Sequence, residues 1–180
     1  DPGIEGGYVG VGFDSFGNFS GNDHGTGGIG RTPNSVVIRG SEATGYQYVT
    51  GKVATGPLMA ADRSSAKRQV RISISTGNIM TVAVNYGSGY VTELSNINLT
   101  TINGAGTLPA SFKFGFAAST GDQTNTHEIK GLVINTNQPN VSVDIAHNGT
   151  LNAGGNGQFT LRATNAADAE IWLGRAALLD

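Results

Sequence analysis

Apolar side chains recur at every second position in several short runs of this chain, and clusters of Gly, Asn, Asp, Ser and Thr separate the runs. A period of two is that of a strand with one buried face. The pattern is cleanest over residues 67–75, where Val70, Ile72 and Ile74 fall on one side and Arg71, Ser73 and Ser75 on the other. Thr76-Gly77-Asn78 then turns the chain, and Ile79, Met80, Val82 and Val84 begin the return, so a β-hairpin is predicted. Lys67, Arg68 and Arg71 cluster here, as charge that guards a strand edge would. Residues 111–119 set Phe112, Phe114 and Phe116 on one face, which marks that strand as the centre of the core. Tyr8, Val9, Val11 and Phe13 read as a buried strand, residues 34–39 restart another, and residues 127–134 form a third.

Between these runs the signals change. Residues 40–62 are rich in turns, with Tyr46 and Tyr48 placed as a short edge strand or an exposed aromatic pair would place them. Residues 87–108 read as a long polar connection. Asn137-Gln138-Pro139 marks a domain boundary, which divides the chain into a β domain over 1–136 and the start of a small β module over 137–180. In that tail Val141, Val143 and Ile145 alternate, Phe159-Thr160-Leu161 reads as a strand, and residues 166–179 allow a helix.

Composition narrows the class. In 180 residues, 38% are hydrophobic and only 13% charged, so a core is available while the surface must be built from Gly, Asn, Ser and Thr. That describes an all-β, extracellular kind of protein. A net charge of -2 supplies no basic footprint for nucleic acid or an anionic membrane. Without cysteine there is no disulfide, thiolate metal site or thiol catalysis. No apolar run approaches the roughly 20 residues of a membrane span.

Candidate chemistry gathers where the first strand ends. A buried strand that closes on a carboxylate, Asp14, delivers a charge that needs a partner. Asp14, Asn18 and Asp23 are closely spaced oxygen donors with glycines between them, a hard-cation site in outline, calcium before magnesium. Side-chain turns at a strand end are the alternative. In the following loop Gly25, Gly27 and Gly30 spell G-x-G-x-x-G, but no helix follows and the dinucleotide reading fails. Ser119, Asp122 and His127 lie close in sequence, but a loop this short seldom gives triad geometry and there is no G-x-S-x-G elbow; a small-ester hydrolase on Ser119, His127 and an acid stays open as a rival reading. His24, His127 and His147 lack the spacing of a zinc site. Glu128 has Lys130 or Arg39 as a pairing partner, or orients backbone.

Two segments together resemble the L-type (legume-type) lectin family, in its bacterial adhesin-associated branch. The first is Val9-Gly10-Val11-Gly12-Phe13-Asp14-Ser15-Phe16-Gly17-Asn18; the second is Phe114-Gly115-Phe116-Ala117-Ala118-Ser119-Thr120-Gly121 followed by His127-Glu128-Ile129. The resemblance covers residues 8 to 136 and implies a concanavalin A-like jelly-roll β-sandwich. It further implies a calcium ion on Asp14, the Phe16 carbonyl, Asn18 and Asp23, and a sugar site lined by Asn18, Gly121, Asp122 and Gln123. The expected protein is then a calcium-assisted carbohydrate-binding domain of a bacterial surface or secreted adhesin, with a glycan or polysaccharide as partner. Two departures matter. A family glutamate that would hold a second metal is Gly12 here, and the family's early strand would precede residue 1. The sandwich is therefore expected to be incomplete or completed by strand exchange, with a homodimer through the open sheet edge. Two rivals remain on the same sandwich. One is a hydrolase cleaving glycans or small esters, although the Glu-x-Asp-x-x-Glu strand of laminarinase-like enzymes keeps only Asp14. The other is a purely structural adhesin module.

Overall fold

Where the sequence alternates, the chain extends. The computed structural model describes residues 4–62, 64–65, 68–104, 108–109, 111–118, 126–136, 143–148, 158–164 and 169–179, with side chains described as far as residue 135. Its strands are β1 (Gly10–Asp14), β2 (Ser35–Arg39), β3 (Tyr48–Val53), β4 (Arg68–Ile74), β5 (Ile79–Asn85), β6 (Tyr90–Asn98), β7 (Ser111–Phe114), β8 (Thr126–Ile129), β9 (Leu132–Thr136), β10 (Val143–Asn148), β11 (Gln158–Thr164) and β12 (Ala169–Leu179). One 3-10 turn at Glu42–Thr44 is the only helical element among the described residues. The protein is all-β, and every strand pairing among the described residues is antiparallel.

A three-stranded sheet runs β1-β2-β3, and a larger one runs β6-β5-β4-β12-β8, with β9 also on β12. A third sheet runs β10-β11-β7. Residues of the segment 137–180, read from sequence as a separate module, thus pair with strands of the first 136: β11 with β7, and β12 with β4, β8 and β9.

The core lies between the first two sheets. Val36 and Ile38 from β2 pack with Met80, Val82, Leu94 and Ile97 from β5 and β6. All five residues of β2 are buried, the near-continuous apolar run of a strand covered on both faces. The three phenylalanines expected at its centre stand aside: Phe112, Phe114 and Phe116 are only half-buried, and the last two flank a smaller cluster around Val70 and Val84.

The predicted hairpin is present as β4 and β5, with Asn78 in the left-handed turn position at φ 61°. Its strand β4 is interior, however, so Arg68 does not guard an edge. It is buried, and its guanidinium donates to the carbonyls of Pro57 (2.6 Å), Ser65 (3.2 Å) and Met59 (3.2 Å). Residues 90–98, read as connection, form the nine-residue strand β6. Their alternation is broken because Asn96 takes φ 60° where the register to β5 shifts, so side chains leave the period-two rule at that bulge. The 127–134 strand is two, split at Gly131, whose φ is 63°. Residues 169–179 are strand, not helix: pairing along β4 overrides the helix-forming composition of the segment.

One charged network ties the sheets' connections together. The Glu93 carboxylate on β6 has no exposed surface, and it accepts from the Thr55 amide (3.0 Å), the Thr55 hydroxyl (3.1 Å) and the Tyr86 hydroxyl (2.6 Å). The Lys52 ammonium lies 2.9 Å away with 44% of its side chain exposed. Burial alone would raise the Glu93 pKa. The hydrogen bonds from Tyr86, Lys52 and Thr55 outweigh it and hold the carboxyl below its usual range.

Candidate functional site

The loop between β1 and β2 covers the outer face of the smaller sheet, and alternation explains how. In β1, Val11 and Phe13 turn to the core, which leaves Gly10, Gly12 and Asp14 on the other side, paired with Arg39, Val37 and Ser35 of β2. The Phe19 ring folds back over Gly10 and Gly12, and a Cβ at Gly12 would collide with that ring. The position where a metal-binding glutamate would stand is therefore filled by an aromatic side chain.

Asp14 closes the strand by capping the loop's first turn. Its Oδ1 accepts from the Gly17 amide at 2.7 Å and its Oδ2 from the Ser20 amide at 3.0 Å. Gly17 is at φ 105°, and a side chain there would run into the backbone nitrogen of Thr32. Ser20 is fully buried; its hydroxyl lies 2.8 Å from the Gly17 carbonyl and accepts from the Thr32 amide at 2.9 Å, joining the two ends of the loop.

The centre of the loop is held by Arg39, which is 1% exposed. Its Nε donates to the Phe19 carbonyl at 2.8 Å and its Nη1 to those of Tyr46 (2.9 Å) and Thr26 (3.5 Å). Its Nη2 donates to the Gly21 carbonyl at close range and to that of Gly27 at 3.2 Å. The guanidinium also lies 5.4 Å from the centroid of the Phe19 ring. Burial pulls the Arg39 pKa down, while Tyr48 and Asp14 act in the opposite direction, and an arginine so placed stays charged. Arg39 thus serves the loop.

The rim faces solvent. Phe16 is 58% exposed, and the Arg31 guanidinium stands 4.6 Å above its ring. The same guanidinium reaches Asn18 Oδ1 at 3.4 Å. Asn22 and Asp23 are exposed, and His24 is half-buried. Gly121, Asp122 and Gln123, the other expected sugar-site residues, lie outside the described residues, as does Ser119.

The expected calcium donors are accordingly all at this loop, where Asp14 and Asn18 already have partners and Asp23 is exposed. Both Asp14 oxygens accept backbone amides, and the Asn18 oxygen faces a guanidinium. Among the described residues no three His, Asp or Glu side chains gather as a metal group. The two amides on Asp14 and the guanidinium at Asn18 compete with a cation for those oxygens. Sequence reasoning found Asp14 and missed Arg39, Phe19 and Ser20. The available signal was an arginine closing the apolar run Val36-Val37-Ile38, since a charge inside a doubly covered strand needs buried partners.

A second concavity, a shallow polar groove of about 440 Å³, runs between β3 and β6 and is lined by Gln47, Tyr48, Thr50, Ser95, Asn96 and Asn98, among others. Its β3 end adjoins the loop, where the Tyr48 amide donates to the Thr26 carbonyl at 2.8 Å. No helix among the described residues is long and apolar enough to cross a membrane. Compared with family models, with curated proteins and with solved structures, the chain matches none.

Proposed function

We propose that the chain is a lectin-like, carbohydrate-binding domain of a bacterial surface or secreted adhesin, on a concanavalin A-like sandwich, with the rim of the 15–33 loop as its ligand surface. The observation that carries this reading is Phe16. A large aromatic ring 58% exposed on a loop braced from within gains by covering its apolar face. The C–H face of a pyranose supplies such a cover, and its hydroxyls meet the Asn18 amide, the Asp23 carboxylate and the Arg31 guanidinium around the ring. Because Asp14, Ser20 and Arg39 already fix the loop, little ordering remains to oppose binding.

The test is a glycan array probed with the wild type, Phe16→Ala, Asn18→Ala and Asn96→Ala. The two rim substitutions should weaken the retained glycans about tenfold or more, and the groove substitution should leave them unchanged. Equal binding by Phe16→Ala and wild type would remove the rim from the reading; loss with Asn96→Ala alone would move the ligand to the β3–β6 groove. The same reading makes the outer side of β1, which no described strand pairs, the contact for a second copy. Sedimentation giving a monomer at all concentrations would refute that part.

A further inference from the structure

The loop over β1 and β2 contains its own cation. Five carbonyl oxygens, those of Phe19, Gly21, Thr26, Gly27 and Tyr46, meet the guanidinium of Arg39, whose five N–H groups lie in one fixed plane. A calcium-braced loop is organised in the same way, with backbone and side-chain oxygens turned toward one positive centre. Here four of the five carbonyls come from 19–27, the stretch that an ion on Asp14, Asn18 and Asp23 would have to order. The Asp14 charge acts on Arg39 as well, opposing the effect of burial on its pKa. A divalent ion brought to Asp14 would be repelled by that buried guanidinium in a medium that screens poorly. It would also compete with the Gly17 and Ser20 amides for the Asp14 oxygens. Arg68 repeats the device on a smaller scale, drawing the carbonyls of Pro57, Met59 and Ser65 around one guanidinium in the β3–β4 connection.

We propose that the Arg39 guanidinium takes the place of a bound calcium ion in this loop, so that the order of the loop, and binding at its rim, are independent of divalent metal. The inference concerns what holds the loop and stands apart from which ligand the rim takes.

The experiment is a set of thermal melts of the wild type and Arg39→Met in about 10 mM calcium chloride and in about 10 mM EDTA. A calcium site of the strength found in extracellular modules would separate the two wild-type melts by roughly 3–10 °C. The expected separation is under about 1 °C, with Arg39→Met melting several degrees lower in both buffers. A calcium-dependent wild-type melt overturns the proposal, as does an Arg39→Met melt equal to that of the wild type. Should Arg39→Met fail to fold, metal analysis of the dialysed wild type decides: a folded, calcium-free protein supports the proposal, and one calcium per chain retained through dialysis overturns it. A blank glycan array would defeat the carbohydrate reading and leave these outcomes unaltered.

Discussion

Replacing Glu93 separates three contributions to one buried network, and their sizes can be ordered in advance. Lys52 keeps 44% of its side chain in water, so its ion pair with Glu93 is screened, and Lys52→Met should cost under about 1 kcal/mol. The Thr55 amide and hydroxyl and the Tyr86 hydroxyl have no such recourse, because they point at a carboxylate with no exposed surface. Glu93→Gln keeps one acceptor oxygen and places an NH2 group where the second stood, a loss of about 1–3 kcal/mol. Glu93→Ala leaves every donor unmet and opens a cavity, about 3–5 kcal/mol, or a fall in Tm of roughly 6–20 °C for a chain of this size. Urea denaturation at neutral pH measures all three. Because the Glu93 pKa is lowered in the fold, its contribution is fully present above the unfolded value of about 4.3 and is lost as pH falls through the lower folded value. The gap between wild type and Glu93→Gln should therefore close in acid. Lys52→Met costing as much as Glu93→Ala, or a gap that widens in acid, would refute the ordering.

Other substitutions probe the loop and the hairpin. Asp14→Asn turns an NH2 group toward one of the two capped amides and should cost about 1–3 kcal/mol, read by denaturation. Gly12→Ala should destabilise by about 1–3 kcal/mol through collision with Phe19, and Phe19→Leu in the same chain should recover part of that loss. Asn78→Gly should be tolerated within about 0.5 kcal/mol while Asn78→Ala costs about 1 kcal/mol, since the turn holds φ at 61°.

Much of the fold was legible because one-sided burial writes a period of two into the chain. Val70, Ile72 and Ile74 with their return strand show it, and Gly10 and Gly12 alternating with Val11 and Phe13 show it again. The pattern fails where geometry departs from the period. Asn96 bulges in the left-handed region, so β6 read as connection. Phe112, Phe114 and Phe116 share a face, but sequence does not say which sheet that face meets, and the fully buried core formed on β2, β5 and β6. At the candidate site Asp14 was visible as a charge at a strand end. Its surroundings were not, because Arg39 lies 25 positions further on and reaches the loop only through the register of β1 on β2. An ion and an arginine also draw the same oxygens, so spacing of Asp and Asn alone could not distinguish them.

Hydrogen exchange at the amides of Gly17, Ser20 and Thr32 tests most directly whether the chain itself holds this loop. Each of those amides donates to a side-chain oxygen inside the loop, at 2.7, 3.0 and 2.9 Å. In protein stripped with EDTA, all three should stay protected to the same degree as in calcium. Exchange at the unprotected rate in EDTA, with protection restored by calcium, would show that the ion and not Arg39 keeps the loop in place.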